Sequence, residues 1–425
     1  MIVLDEILIE NSGKTVVYNY SVDDKYAIYF NSEDPYFVEY EKDVSSVPKS
    51  ILCVPFLVNF LPIAWFLDID IQCAEVDKAF IESVIPIKKE FQRMYPEFQL
   101  KGNLWVEKPI VQENAKSTYA AMLFSGGVDA VSTLVRHADK KMALFSVWGA
   151  DISLSEADKW NDLVNYNKDQ NYLTDNPKYY IKSNLRSFYS YKLEQKLNIE
   201  WWGKVQHGMA LLGVCAPLCH LLNITTLYIG STHTKLTQIS WGSNPVTDEL
   251  LKWSNTSIVH ECYDLTRLKK IESIIDYARL IEDEVQLRVC YSERRDQLNC
   301  SFCEKCLRTI MAIVLSGDNP NLYGFNVNES FYDLVKKHVN GGIKTKGVLN
   351  HWLGLQKKSL ESENVYVFKD KASEEEVLKW FANVTLKLPD ESKLKMILRK
   401  HKSNIINRFP GIFNFYMKFR LKLVK

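Results

Sequence analysis

The spacing of apolar and polar residues divides the 425-residue chain into three stretches. Over 1–115 the apolar runs are short, aromatic and β-branched: TVVYNYSV (15–22), YAIYF (26–30) and YFVEYEK (36–42), with turn residues between them. Such runs predict strands, so a β-rich N-terminal domain is expected, with a helix near 77–95. The most apolar window, ILCVPFLVNFLPIAWFL (51–67), holds Pro55, Asn59 and Pro62. It falls short of the roughly 20 residues a membrane span needs and predicts buried strands or loops of a core.

From about 116 the rhythm changes. TYAAMLF (118–124), MALFSVW (142–148), KYYIKSN (178–184), TTLYIGS (225–231) and SIVHECY (257–263) read as strands. Helical patterns lie between them: one running to His137, GKVQHGMALLGVCAPLCHLL (203–222), and the periodic LTRLKKIESIIDYARLIEDE (265–284). The Asn- and Tyr-rich stretch 161–180 predicts a surface helix and loop. Strands alternating with helices predict crossover units, hence an α/β fold with a doubly wound parallel sheet over 116–316. From 317 to 425 the pattern is mostly helical.

Composition changes this picture little. Apolar residues make up 46% and charged residues 25%, as in soluble globular chains. The net charge of +1 argues against a whole-surface nucleic-acid binder. Its distribution is uneven: 392–425 holds ten basic and no acidic residues, leaving the rest at −9. That basic tail predicts an edge segment with solvated lysines and leaves contact with a nucleic acid or a membrane phosphate open. MIVLDEILIE has acidic residues where a secretory signal has a basic start, so a cytoplasmic location is expected. In a reducing compartment, a tight group among the nine cysteines predicts a metal site rather than disulfides.

Two motifs carry chemistry. The first is LFSGGVDAVS (123–132) at the first strand-to-helix junction. Consecutive glycines let the backbone approach a ligand, and the helix start adds partial positive charge, so Ser125, Gly126, Gly127, Val128 and Asp129 suit a phosphate. Neither G-x-x-x-x-G-K-[ST] nor G-x-G-x-x-G is present. The second is the array of Cys290, Cys300, Cys303 and Cys306, spaced C-x9-C-x2-C-x2-C. Four thiolates close a tetrahedral zinc site and leave no open position, which makes it structural; an iron–sulfur cluster is the alternative that thiolates alone leave open.

The order strand, Ser-Gly-Gly-x-Asp, helix resembles the PP-loop ATP pyrophosphatases, whose fingerprint is SGGxD[ST]. The four-cysteine array about 165 residues later, with Leu307-Arg308 directly after it, narrows the resemblance to 7-cyano-7-deazaguanine synthases (QueC-like proteins) over roughly 118–315. The resemblance implies a PP-loop (HUP-type) sheet and a four-cysteine zinc insertion. It implies ATP with Mg²⁺ at the glycine turn and adenylation of a carboxylate on a carboxylated, purine-like small molecule. An amine or ammonia then displaces AMP to give an amide or nitrile. Longer relatives of this kind occur in bacterial anti-phage islands, and some are thought to use a protein amine as acceptor. Ala130 departs from the fingerprint, which has a hydroxyl there; either one phosphate hydrogen bond is missing or Ser132 or Thr133 supplies it. Two other readings stay open: PP-loop amidation or thiolation of tRNA or a small molecule, and a non-catalytic nucleotide-binding subunit of a defence complex.

The same resemblance places the carboxyl ends of the next strands at the site. Val147, Trp148 and Gly149 after the second strand are expected at adenine and ribose, and Ser231 after the fourth at the nucleotide. Ser125, Asp129, Arg186 and His233 are the expected catalytic set. Asp248 is a further candidate contact, and Trp148 and Trp241 are candidates for stacking on a purine. His207 lies on an apolar helix and reads as a core histidine or a ligand. Arg267 and Lys270 open a helix, an unusual place for positive charge, and either face an anion or are solvated. A thiolase would want a catalytic cysteine near the nucleotide; Cys215 and Cys219 sit on a helical pattern and read as buried.

Overall fold

The computed structural model of the protein describes residues 1–31, 34–112, 117–235, 239–290, 298–362, 365–368 and 371–388. The basic tail of 392–425 lies outside them. Eleven strands form one sheet: β1 (Ile2–Glu10), β2 (Thr15–Val22), β3 (Tyr36–Tyr40), β4 (Ile71–Asp77), β5 (Leu104–Ile110), β6 (Ala120–Leu123), β7 (Ala143–Trp148), β8 (Lys178–Ser183), β9 (Thr226–Gly230), β10 (Lys252–Trp253) and β11 (Thr256–Glu261). Across the sheet they run β10-β11-β9-β6-β7-β8-β3-β2-β1-β4-β5.

The expected α/β class is present, and the sheet is mostly parallel. β8, β7, β6, β9 and β11 are mutually parallel neighbours. Numbered in chain order, these five read 3-2-1-4-5, so the winding reverses between β6 and β9. Ligands of such sheets bind at the carboxyl ends beside that reversal. The strands of 1–115 extend this sheet rather than forming one of their own. β3 pairs antiparallel with β8, Val38 opposite Ser183, and carries β2, β1, β4 and β5 outward.

Strand alternation explains why the core has two halves. In β6, Ala121 belongs to one buried cluster, and Ala120 and Met122 to the other. β9 repeats the pattern, with Leu227 and Ile229 on the first face and Tyr228 on the second. Over the first face lie helix Val54–Leu67 and the helical segment that starts at Trp202. Over the second lie helices Val128–Arg136, Arg267–Ile281, Glu304–Leu315, Phe331–Asn340 and Lys346–Glu361. Helix Lys371–Asn383 joins them through Glu374, which is 1% exposed and accepts from Tyr332 Oη at 2.9 Å and Val367 N at 3.1 Å.

Three elements differ from expectation. The window 51–67 is buried as expected, but it is helical, with Lys49–Leu52 followed by Val54–Leu67. A helix apolar all round belongs in the middle of a core. Pro55 falls in its first turn, where no N–H is needed, and Asn59 Nδ2 donates to Pro55 O at 2.8 Å. YAIYF is not a strand. Asp24–Ala27 makes one helical turn, and the chain then drops Phe30 onto the ring of Phe60, stacked at 5.5 Å. The helical pattern 203–222 is broken into a π-helical turn (Trp202–Gln206), His207–Gly213 and Ala216–Leu221. No helix among the described residues is long and apolar enough to cross a membrane.

Candidate functional site

β6 ends at the reversal point and turns through Phe124, Ser125, Gly126 and Gly127 into helix Val128–Arg136. Gly126 has φ +72°, and a Cβ there would lie 2.5 Å from the Tyr166 ring, so both conformation and space require glycine. Gly127 is different. Its φ is −76°, and a Cβ would meet Ser125 Oγ at 3.4 Å and Arg288 O at 3.6 Å, which is ordinary contact. Nothing among the described residues requires this glycine, and it lines a cavity. That cavity holds about 440 Å³ and spans the carboxyl ends of β6, β7 and β9.

One end of the cavity is cationic. Asp129, in the first turn of the helix, meets Lys270 Nζ at 2.9 Å and Arg267 Nη1 at 3.6 Å. Lys270 also donates to Ser231 O. Burial alone would push the Asp129 carboxyl up, but Lys270 and then Arg267 hold it at about 2. Arg267 is 9% exposed, yet its Nε and Nη2 have no partner among the described residues. Unpaired buried guanidinium N–H groups are costly, and in a cavity wall they point to an anion. Arg288, Lys305, Arg308 and His351 line the same end. Arg288 N donates to Gly126 O at 2.8 Å, which ties this segment to the glycine turn.

A second group of lining residues is aromatic and acidic. The π-helical turn places Trp202 and Gly203 in the wall, and His207 follows it. π-turns of this kind frequently mark functional sites. A Cβ on Gly203 would come within 2.6 Å of Trp241 and 2.7 Å of Glu200 Oε2, so this glycine lets both side chains reach the cavity. Asp151 lines it too, and His207 Nδ1 is buried without a partner among the described residues. Burial lowers the His207 pKa and keeps the imidazole neutral.

The four predicted cysteines converge. One sulfur of each lies within 4.8 Å of the others, with Cys290–Cys303 and Cys300–Cys306 at 3.9 Å and Cys303–Cys306 at 3.5 Å. A tetrahedron with zinc–sulfur bonds of about 2.3 Å has sulfurs about 3.8 Å apart, so the set fits a metal of that kind. Burial and the neighbouring sulfurs push the Cys300 thiol up to about 11. A divalent cation reverses that cost by taking the thiolates. Asn299, 2% exposed, braces the array: Oδ1 accepts from Val289 N and Cys290 N, and Nδ2 donates to Leu287 O and Gly324 O, all within 3.2 Å. Arg288 and Lys305 are sequence neighbours of these ligands, so the array also sets the cationic wall.

No family model, no curated protein and no solved structure matches the chain.

The sequence-predicted residues divide into two groups. Ser125, Gly127, Val128, Asp129 and Val147 line the cavity, and Gly126 and Ser231 shape it from behind. Trp241 and His207 also line it, and Arg267 and Lys270 face its anionic partner instead of solvent. The others are turned elsewhere. Ser132 Oγ lies 3.5 Å from Cys262 Sγ, and Thr133 Oγ1 donates to Asp129 O, so neither hydroxyl replaces the one missing at Ala130. Thr232, which follows the fourth of these parallel strands, lines the cavity as well. Trp148 stacks on Trp160 at 5.5 Å, and Gly149 makes a left-handed turn against Ser183 O. Arg186 lies over the Trp202 ring at 4.7 Å and donates to Ala150 O at 3.0 Å. His233 packs edge-on against Trp241. Asp248 is sequestered by Ser243 and His260, at 2.7 and 2.8 Å. Cys215 and Cys219 are buried. Glu200, Trp202, Arg288 and His351 went unread, because no local motif marks a residue that only the fold brings to the site.

Proposed function

We propose that the chain is an ATP-using enzyme of the PP-loop class, which activates a carboxylate as its adenylate and passes the acyl group to an amine. The observation that carries this is the glycine turn at the reversal point, opening into a cavity whose cationic wall includes the buried Arg267, with Nε and Nη2 unpartnered among the described residues. In this reading the turn and Arg267, Arg288, Lys305 and Arg308 hold the polyphosphate. Mg²⁺, when bound with the nucleotide, shields its charge, and Asp129 is the carboxylate placed to meet it. An oxygen of the substrate carboxylate attacks the α-phosphorus, the bond to the β-phosphate oxygen breaks, and pyrophosphate departs with the electron pair. The cationic wall stabilises the charge that develops there. An amine then adds to the acyl carbon and AMP leaves.

The aromatic and acidic end suits a flat ring rich in hydrogen-bond donors. Trp202 and Trp241 offer faces, and Glu200 and Asp151 offer acceptors. A 7-carboxy-7-deazaguanine-like substrate fits that chemistry and the resemblance of the two motifs. Cys290, Cys300, Cys303 and Cys306 would hold a structural Zn²⁺. The test is incubation with ATP, Mg²⁺ and candidate carboxylates, reading pyrophosphate release and product mass. Substrate-dependent release that Asp129→Ala abolishes is expected. Release that survives Asp129→Ala, or no release with any carboxylate, refutes it.

A further inference from the structure

The wall of the cationic end is completed by a segment outside the stretch that carries both motifs. Helix Lys346–Glu361 is capped by Thr345, whose Oγ1 accepts from Val348 N. Three contacts pin it to the two helices that carry the cations. Trp352, fully buried, donates Nε1–H to Glu304 Oε1 at 3.2 Å, one residue after Cys303. Lys358 Nζ meets Glu272 Oε1 at 2.8 Å on helix Arg267–Ile281, and Ser362 Oγ donates to Leu315 O at 3.4 Å. Gln356 Nε2 fixes the outer side by donating to Phe381 O and Val384 O. This docking turns His351 into the cavity.

His351 has two unusual features there. Neither ring nitrogen has a hydrogen-bond partner among the described residues. The charged and titratable groups that act on it come from every element around it: Arg308 on the cysteine helix, Arg267 on the neighbouring helix, Asp129 at the glycine turn and His233 after β9. An imidazole placed with its polar atoms open between two arginines has no structural task that a leucine would not perform better.

We propose that His351 is a ligand of the bound polyphosphate, so that the C-terminal helical region forms part of the nucleotide site and takes up a proton when that anion binds. The inference rests on the polyphosphate reading of the cavity. In the free protein, burial first and then Arg308 and Arg267 hold the imidazole neutral, with its pKa near 3. A polyphosphate neutralises both arginines and offers an acceptor to the ring N–H. Each change favours the imidazolium, so binding raises the pKa and the complex gains a proton at any pH between the free and bound values. Binding therefore tightens as pH falls toward 6, the sign expected for a base whose charged form is preferred in the complex.

The experiment is calorimetric titration of the full chain with pyrophosphate and Mg²⁺ at pH 6, in two buffers of different ionisation enthalpy, for the wild type, His351→Ala and His351→Gln. Circular dichroism and thermal melts check that each variant is folded. The expected result is proton uptake by the wild type and an affinity loss of at least ~10-fold in His351→Ala. His351→Gln keeps a donor and recovers part of the affinity, but shows no uptake. A merely structural histidine would not separate affinity from proton count in this way. If the wild type binds and His351→Ala binds equally well with the same uptake, the inference is wrong and the polyphosphate reading stands. If the wild type binds neither pyrophosphate nor ATP, the reading itself falls, and the inference with it.

Discussion

Replacing Lys270 by methionine tests whether the anion site is built on a buried ion pair. Lys270 is 1% exposed, its Nζ lies 2.9 Å from Asp129 Oδ1, and its second bond goes to Ser231 O. The pair holds the Asp129 carboxyl at about 2. A carboxyl lowered that far stabilises the folded chain by roughly 2.5 kcal/mol at neutral pH through proton linkage. Because 23% of the Asp129 side chain remains exposed, water screens part of this, and about 1–2 kcal/mol is the better figure. Methionine removes the partner but keeps the volume, so the loss is electrostatic, and the uncompensated carboxylate adds to it. The folded-state pKa is depressed. Its stabilisation is therefore complete above the unfolded value near ~4 and fades as pH falls through about 2. Lys270→Met should lower stability by ~2–3 kcal/mol at pH 7, and the gap to wild type should narrow from pH 5 toward pH 3. Asp129→Asn added to Lys270→Met should recover part of the loss, since no charge is then left unpaired. Urea unfolding followed by tryptophan fluorescence and by circular dichroism gives the numbers, provided the two transitions coincide. A gap that stays flat from pH 7 to pH 3, or a double variant no better than Lys270→Met, refutes the argument.

Two neighbouring glycines should respond in opposite ways. Gly127→Ala, with ordinary φ and room for a Cβ, should leave the melting temperature within a few degrees of wild type but abolish ATP binding, whereas Gly126→Ala should lose both. Equal stability losses in the two variants would show that the first glycine also has a task within the fold. Elemental analysis should find one zinc per chain, falling to near zero in Cys303→Ser; because Lys305 and Arg308 follow that ligand, pyrophosphate affinity should fall as well. Iron with sulfide, or full affinity without metal, contradicts the zinc assignment or the coupling. Ala130→Ser puts a hydroxyl in the cavity wall and should keep or improve ATP use in a pyrophosphate-release assay. A large loss would mean that the alanine makes room the ligand needs.

Local signals made much of this legible. The five parallel strands stood out because a strand buried on both faces leaves an unbroken apolar run, and the glycine turn because its residues are contiguous. The cysteine array was readable because four ligands fall within 17 residues. The errors have equally local causes. In 51–67 an all-round buried helix shows no amphipathic period, and its two prolines argued against a helix although one sits where a helix start tolerates it. YAIYF has the composition of a strand, but it forms a turn that brings Phe30 onto the Phe60 ring. Ser132 and Thr133 lie near the turn in sequence, but the helical period carries them away from the cavity. Arg267 and Lys270 showed the reverse: two cations at a helix start oppose its dipole, and the conflict is resolved only by Asp129, 138 and 141 positions away.

The cavity's polarity constrains how any ligand lies in it. Arg267, Arg288, Lys305 and Arg308 line the end beside the cysteine array, while Glu200 and Asp151 line the end beside Trp202 and Trp241. A polyphosphate turned toward Glu200 would face like charge in a partly dehydrated site, where repulsion is less screened than in water. Turned the other way, it meets the Arg267 guanidinium, whose Nε and Nη2 have no partner among the described residues. A molecule with phosphates at one end and donor groups at the other can therefore bind in one orientation only. That orientation is set by residues far apart in the chain: Asp151 after β7, Glu200 and Trp202 at the π-helical turn, Arg267 on the helix after β11, Arg288 before the cysteine array, and Lys305 and Arg308 on the cysteine helix. Exchanging one charge at each end, Glu200→Lys with Arg308→Glu, should abolish nucleotide binding while leaving the cavity's size nearly unchanged. Restored binding on combining the two would instead show that the sum of charge matters and not its arrangement.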